Sequence, residues 1–557
     1  METINLKEEV RSLVDRLPEN FTSSDPISAI FLRQAMKSEP IQVKGIKQGK
    51  SIQMFISSVL GLGVCLTPLT VPLMVQPSWA QSQNSQLEKL EQLIQQAIQQ
   101  GQQGQEARQA IETWQQILVM ARQFQDKKSE ALALNYIGLN YDSISQPQEA
   151  LKYFNQALPI MRSAGDRRGE AATLNNIGAA YNSISQPQEA LKYYNQALPI
   201  TQSAGDRRGE AATLSNIGAA YNNISQPQEA LKYYNQALPI LRQVGDRRAE
   251  AVTLNNIGFN YNSISQPQEA LKYFNQALPI MRSVGDRTGE AATLTNIGLA
   301  YDRISQPQEA LKYFNQALPI MRSVGDRTGE AATLTNIGLA YNNISQPQEA
   351  LKYFNQALPI LQQVGDRRVE AATLNNIGGV YKSISQPQEA LKYFNQALPI
   401  LQQVGDRSGE AATLNNIGAA YNSISQPQEA LKYFNQALPI LRSVGDRRRE
   451  ATTLNNIGRV YNNISQPQEA LKYYNQALPI LRQVGDRRGE AVTLNNIGAA
   501  YNSISQPQEA LKYFNQALPI LRSVGDRAGE AATLSNIEAV NNRSQPPSGT
   551  NIPPVPK

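Results

Sequence analysis

One asparagine returns every 40 residues along most of the chain: Asn176, Asn216, Asn256, Asn296, Asn336, Asn376, Asn416, Asn456 and Asn496, then again at Asn536. A carboxamide offers both a donor and an acceptor, so the series is a ladder of equivalent hydrogen-bonding groups. Only the first unit breaks it, with Tyr136. Three residues further on, a second series varies: Leu139, Ala179, Ala219, Phe259, Leu299, Leu339, Gly379, Ala419, Arg459 and Ala499. Phe259, Leu299 and Leu339 give its middle an apolar strip, either a docking place for apolar anchors or drift at an exposed position. Arg167 and its equivalents follow an aspartate in every unit and either meet acidic partners or pair locally with Asp166 or Glu170. Tyr193 and Tyr194 suggest a stacking pair for bases, but at helical spacing they read as packing.

Much catalytic chemistry is excluded by composition. The 557 residues include no histidine and one cysteine, Cys65. No Ser-His-Asp triad, Cys-His pair or imidazole metal ligand can be assembled, and no disulfide or CxxC pair can form within the chain. Every carboxylate from residue 125 to 524 recurs in equivalent settings, whereas an active site needs a unique constellation. No cofactor or metal is expected, nor a small-molecule substrate. The 52 Lys+Arg against 46 Asp+Glu leave a net charge of +6, with basic and acidic residues interleaved inside each repeat. Nucleic-acid binders concentrate their cations on one face, so that partner is not expected either.

The elements that carry these residues follow from the repeat itself. Residues 165–204 read GDRRGEAATLNNIGAAYNSI and then SQPQEALKYYNQALPITQSA, and ten complete units span 125–524. Each half predicts a helix. Asp166 caps the first, Glu170 adds negative charge to its first turn, and Leu174, Ile177, Gly178 and Tyr181 form an i, i+3, i+4, i+7 stripe. Ser185-Gln-Pro-Gln188 predicts a capping box with Pro187 in the first turn of the second helix. Ala190, Leu191, Tyr194, Ala197 and Leu198 face inward, Gly205 ends that helix, and Pro199 within it should bend the axis. A glycine inside a helix costs about 1 kcal/mol relative to alanine, so Gly178 predicts a close helix–helix contact. At about 100° per residue, Ala172, Asn176, Ala179 and Ser183 lie opposite the buried stripe.

Leu174, Ile177, Gly178, Tyr181, Ala190, Tyr194 and Ala197 together resemble the tetratricopeptide-repeat pattern, in ten copies over 400 residues. The 40-residue period is similar to the longer repeats of kinesin light chain and of bacterial proteins that join such arrays to a caspase-like (CHAT) domain. The resemblance implies an all-α, right-handed superhelical solenoid of stacked antiparallel helix pairs. It implies a non-catalytic scaffold whose concave groove, lined by the first helices, receives a protein or peptide. There the asparagines would bond a peptide backbone, with Phe259, Leu299, Leu339 and Arg459 beside them. The alternatives are an orphaned array of a longer protease-linked protein and a spacer with an empty groove.

The flanks differ from the array. Residues 51–80 carry no charge; Lys37, Lys44, Lys47 and Lys50 precede an apolar run from Met54 to Val75, with small Ser78 and Ala80 before Gln81. This is the layout of a secretory signal in 36–80, with 1–35 as an extension or a start-site artefact and Met36 as the alternative start. Read instead as an uncleaved anchor, the same lysines still place the array outside the cytoplasm. Val64 before Cys65 argues against a lipoprotein cysteine. Residues 81–124 predict a degenerate capping pair in which Ala110, Ile111 and Trp114 keep the second-helix register. Residues 525–543 predict a capping helix, with Glu538 and Asn541 replacing glycine and tyrosine, and 544–557 a disordered proline-rich tail.

Overall fold

The computed structural model describes residues 89–90, 92–100 and 107–544, and among them every regular element is α-helical. The signal or anchor segment with Cys65 lies outside the described residues, as does the tail beyond Ser544. A helix α1 (Ala107–Gln123) precedes ten pairs, from α2 (Lys127–Ser143) and α3 (Pro147–Ser163) to α20 (Arg487–Ser503) and α21 (Pro507–Ser523). A final helix, α22 (Arg527–Ser544), has the sequence of a first helix. The first helix of each repeat is termed A and the second B. No helix among the described residues is long and apolar enough to cross a membrane.

The second repeat shows why the sequence folds this way. In α4 (Arg167–Ser183), Asp166 accepts a bond from the Gly169 N–H at 2.9 Å. The helix ends with Ser185 N–H on the Asn182 carbonyl and Gln186 N–H on the Tyr181 carbonyl, the Schellman pattern that satisfies its last acceptors. Ser185 takes a φ of +59° to complete that turn. It is therefore the terminator of the A helix, and the expected capping box does not form. The N-cap of α5 (Pro187–Ser203) is Gln186, which makes no side-chain capping bond, while Pro187 takes the first helical position as predicted. Only three residues separate the helices, so Ser185 cannot serve both. Gly205, at φ +63°, closes α5 in the same way, and the helix continues through Pro199.

Packing within the pair depends on one small residue. Leu174 and Ile177 are fully buried, and a Cβ added at Gly178 would lie 2.5 Å from Cε1 of the buried Tyr194 ring. The A and B helices thus approach with an aromatic ring seated directly on backbone. Tyr193 stacks instead on Tyr181 at 5.4 Å, so Tyr193 and Tyr194 are not a paired platform for bases. Between repeats, Glu170 is more than a first-turn charge. It is buried and bridges Arg162 of the preceding B helix, at 2.9 Å, and Arg167, at 2.6 Å. Arg167 pairs locally with Glu170 while its side chain stays exposed.

Each A helix touches the A helix of the next repeat, and successive B helices make no contact of that extent. In a stack of paired helices, the layer whose members approach more closely lies on the inside of the curve. The A helices therefore line the concave side of the array.

Candidate functional site

Ala172 and Ser183 are exposed on α4, and Asn176 and Ala179 are half-buried. The row predicted opposite the core stripe is thus the solvent face of the A helix. Its counterparts are α6 (Arg207–Asn223), α8 (Arg247–Ser263), α10 (Arg287–Arg303), α12 (Arg327–Asn343), α14 (Arg367–Ser383), α16 (Arg407–Ser423) and α18 (Arg447–Asn463). On these helices Asn216, Asn256, Asn296, Asn336, Asn376, Asn416 and Asn456 are half-buried in the same way, as is Asn496 on α20. Their surroundings are not the same.

At several junctions where the preceding repeat has a second asparagine, the two amides pair across the junction. Asn176 donates to Asn135 Oδ1 at 3.1 Å, Asn296 to Asn255 at 3.2 Å, Asn456 to Asn415 at 3.4 Å and Asn496 to Asn455 at 3.1 Å. Asn415 and Asn455 also accept from Thr453 and Thr493. At two junctions the accepting amide is turned: Asn175 and Asn375 donate to Thr213 and Thr413 at 2.7 Å, which leaves their buried Oδ1 atoms without a partner. At three others there is no amide to accept. Ser215, Thr295 and Thr335 stand in its place and lie 3.3–3.5 Å from the hydroxyls of Thr253, Thr333 and Thr373. Asn256, Asn336 and Asn376 consequently have no preceding asparagine to pair with. The ladder is therefore mixed: some amides latch repeat junctions, Asn256 meets the Tyr234 hydroxyl, and Asn336 and Asn376 have no asparagine in the preceding repeat to latch onto, a division invisible in the repeat spacing.

The apolar positions cluster on the same helices. Phe259 is 50% exposed and Val252, two turns before it on α8, 42% exposed. Leu299 and Leu339 are half-buried, each resting its inner side on the core of an adjoining repeat. Gly379 presents open space, and Arg459 is exposed on α18. Val252 was not among the predicted site residues, although its spacing from Phe259 places both on one helical face. Behind Phe259 the core contains Asn260, fully buried where the first repeat has Asn140 and the others have alanine or valine. Its Nδ2 bonds the Asn256 carbonyl at 2.7 Å, and its Oδ1 has no partner. Lys382, on α14, is another residue the repeat spacing did not single out. No group of acidic, histidine or cysteine side chains among the described residues could hold a metal.

The tetratricopeptide-repeat family matches residues 169–243, 249–323, 291–363, 329–403, 369–443 and 449–523. The matches cover more than half of the chain, which belongs to this family. Among solved structures it is similar to the STAND protein with a tetratricopeptide repeat sensor PH0952 from Pyrococcus horikoshii, at 15% identity and a TM-score of 0.52, over 66% of this chain and 55% of that one. The chain thus spans little more than half the length of that protein. It is also similar to the apo form of RapI, at 15% identity and a TM-score of 0.52, over 64% of this chain and 98% of that one. A putative kinesin light chain from Podosopora anserina with nearly identical TPR-like repeats aligns at 21% identity and a TM-score of 0.31, over 34% of this chain and 95% of that one. No curated protein sequence matches the chain.

Proposed function

We propose that the array is a non-catalytic scaffold that holds a peptide segment of a partner protein along the A-helix face from α8 to α14. The observation that carries this reading is a coincidence on one stretch. The exposed Val252 and Phe259, with Leu299 and Leu339, occur where Asn256, Asn336 and Asn376 lack an amide to pair with. Those amides would bond the ligand's backbone, and the apolar residues would receive its side chains. The ligand is extended rather than helical, because a helix has already paired its own N–H and C=O groups. The signal-like segment supports a further part of the proposal, that the array works outside the cytoplasm. Cell fractionation with N-terminal sequencing tests that part: recovery from the exported or membrane fraction supports it, with a start at Gln81 marking cleavage, and recovery of an intact chain from the cytoplasmic fraction contradicts it.

A random peptide library displayed on phage, selected on the full chain, tests the groove. Selected peptides should lose affinity for Phe259→Ala and for the triple Asn256→Ala, Asn336→Ala, Asn376→Ala variant, with helicity unchanged. Peptides that bind both variants like the parent would overturn the assignment.

A further inference from the structure

The ten A helices inside the array bury one stripe against the B helix of their own repeat. Ala171, Leu174 and their counterparts are at most 2% exposed, and Gly178 and its counterparts seat the aromatic ring of that B helix. In α22 the same stripe is bare, and among the described residues no helix follows it. Its other side is fixed: Thr533 bonds Asn495 at 3.2 Å, and Val540 packs with Ala510 and Phe514 of the preceding repeat. Ala531 is exposed, and Leu534 is 43% exposed.

Two charges bracket these apolar residues. Arg527 stands four residues before Ala531, and Glu538 four residues after Leu534. At about 100° per residue the four side chains lie within about 60° of one another and form a single stripe. Both charged residues are exposed, and neither forms an ion pair among the described residues. Arg527 stands apart in this. Its nine arginine counterparts, from Arg167 to Arg487, each pair with the glutamate three residues on. In α22 that glutamate, Glu530, is held by Arg522 instead.

Glu538 also restricts what can cover the stripe. It stands where the ten other A helices have glycine, and a Cβ at Gly498 would lie 2.6 Å from the Phe514 ring. A B helix of the repeat sequence therefore cannot seat its aromatic ring on α22. A second α22 can pack there. A two-fold axis midway between Ala531 and Leu534 sets Ala531 against the partner's Leu534 and, in the same register, Arg527 against the partner's Glu538. The order cation, small apolar, large apolar, anion is its own complement when reversed.

We propose that α22 is a self-docking surface through which two copies of the chain associate, helix against antiparallel helix, about a two-fold axis. Such a contact is isologous, so it closes at a dimer and does not grow into a fibre. One helix pair buries little surface, which places this dimer among the weak, concentration-dependent associations. Salt should weaken it further by screening the two charge pairs.

Sedimentation equilibrium of the full chain over a range of concentrations tests the proposal. Leu534→Glu alters an exposed residue, so helicity and denaturation midpoint should hold while the dimer is lost. Arg527→Glu and Glu538→Arg change the net charge in opposite directions, yet each sets like charges opposite one another twice across the axis. Each should raise the dissociation constant about tenfold or more. The double variant, Arg527→Glu with Glu538→Arg, exchanges the charges and should return the constant to within about threefold of the parent. A double variant no tighter than the single ones overturns the register, and with it the proposal. A parent that stays monomeric, or a dimer that Leu534→Glu leaves intact, overturns the proposal outright. A monomeric parent beside a dimeric chain ending at Ser544 also overturns it, and assigns the stripe to the chain's own residues 545–557.

Discussion

Two phenylalanines 15 residues apart separate packing from presentation. Phe274 is fully buried against Gly258, and Phe259 is half exposed on the A-helix face. Phe274→Ala should cost about 3–5 kcal/mol in chemical denaturation, as large aromatic deletions in cores do. Phe259→Ala should leave that midpoint within error and weaken only peptide binding. The asparagines divide in the same manner. Asn455 accepts from both Thr493 and Asn496, at 3.4 and 3.1 Å. Asn455→Ala strands two donors and should cost about 1 kcal/mol or more, while Ser215→Ala should be nearly neutral. Helical periodicity made the two faces legible from the sequence. The amide pairing was not legible, because it joins residues 41 apart whose register exists only once the repeats are stacked. Lys382 was passed over for a related reason: attention to what recurs hides a residue that departs from the pattern.

At the scale of the helix, both ends of the A helix were approached by the same reasoning, and one was misread. The aspartate cap formed as expected. The Ser-x-x-Gln pattern was assigned to the following helix, but its serine belongs to the preceding one. A local pattern cannot say which neighbour claims a residue when the connection is only three residues long. The consequence is measurable. Ser265 sits at φ +61°, a region that costs a residue with a Cβ about 1 kcal/mol and glycine little. Ser265→Gly should therefore raise stability by about 0.5 kcal/mol after glycine's larger unfolded-state entropy is counted, read as a higher denaturation midpoint. The interior glycine behaves oppositely. Gly298→Ala should lower the midpoint despite alanine's helix propensity, because its Cβ meets the Phe314 ring.

For the whole molecule, the repeat makes stability nearly one-dimensional, with each unit held by its neighbours. The tetratricopeptide solenoid was legible because the period and the Leu-Ile-Gly-Tyr stripe recur ten times. Binding should not be distributed so evenly. Deleting residues 405–444 or residues 285–324 removes one repeat in each case and should preserve helicity per residue, with a similar modest loss of stability. Only the second deletion should abolish peptide binding, since it removes Leu299 and breaks the spacing between Phe259 and Leu339. The central claim is that the A-helix face from α8 to α14 is occupied when a peptide binds. Its most direct test is to place a photo-crosslinking benzoylphenylalanine at Phe259 or, on the exposed side of a B helix, at Gln236, and to irradiate each protein with a library-selected peptide. Crosslinking from position 259, competed by unlabelled peptide and absent from 236, is the predicted result; efficient crosslinking from 236 with none from 259 would contradict it.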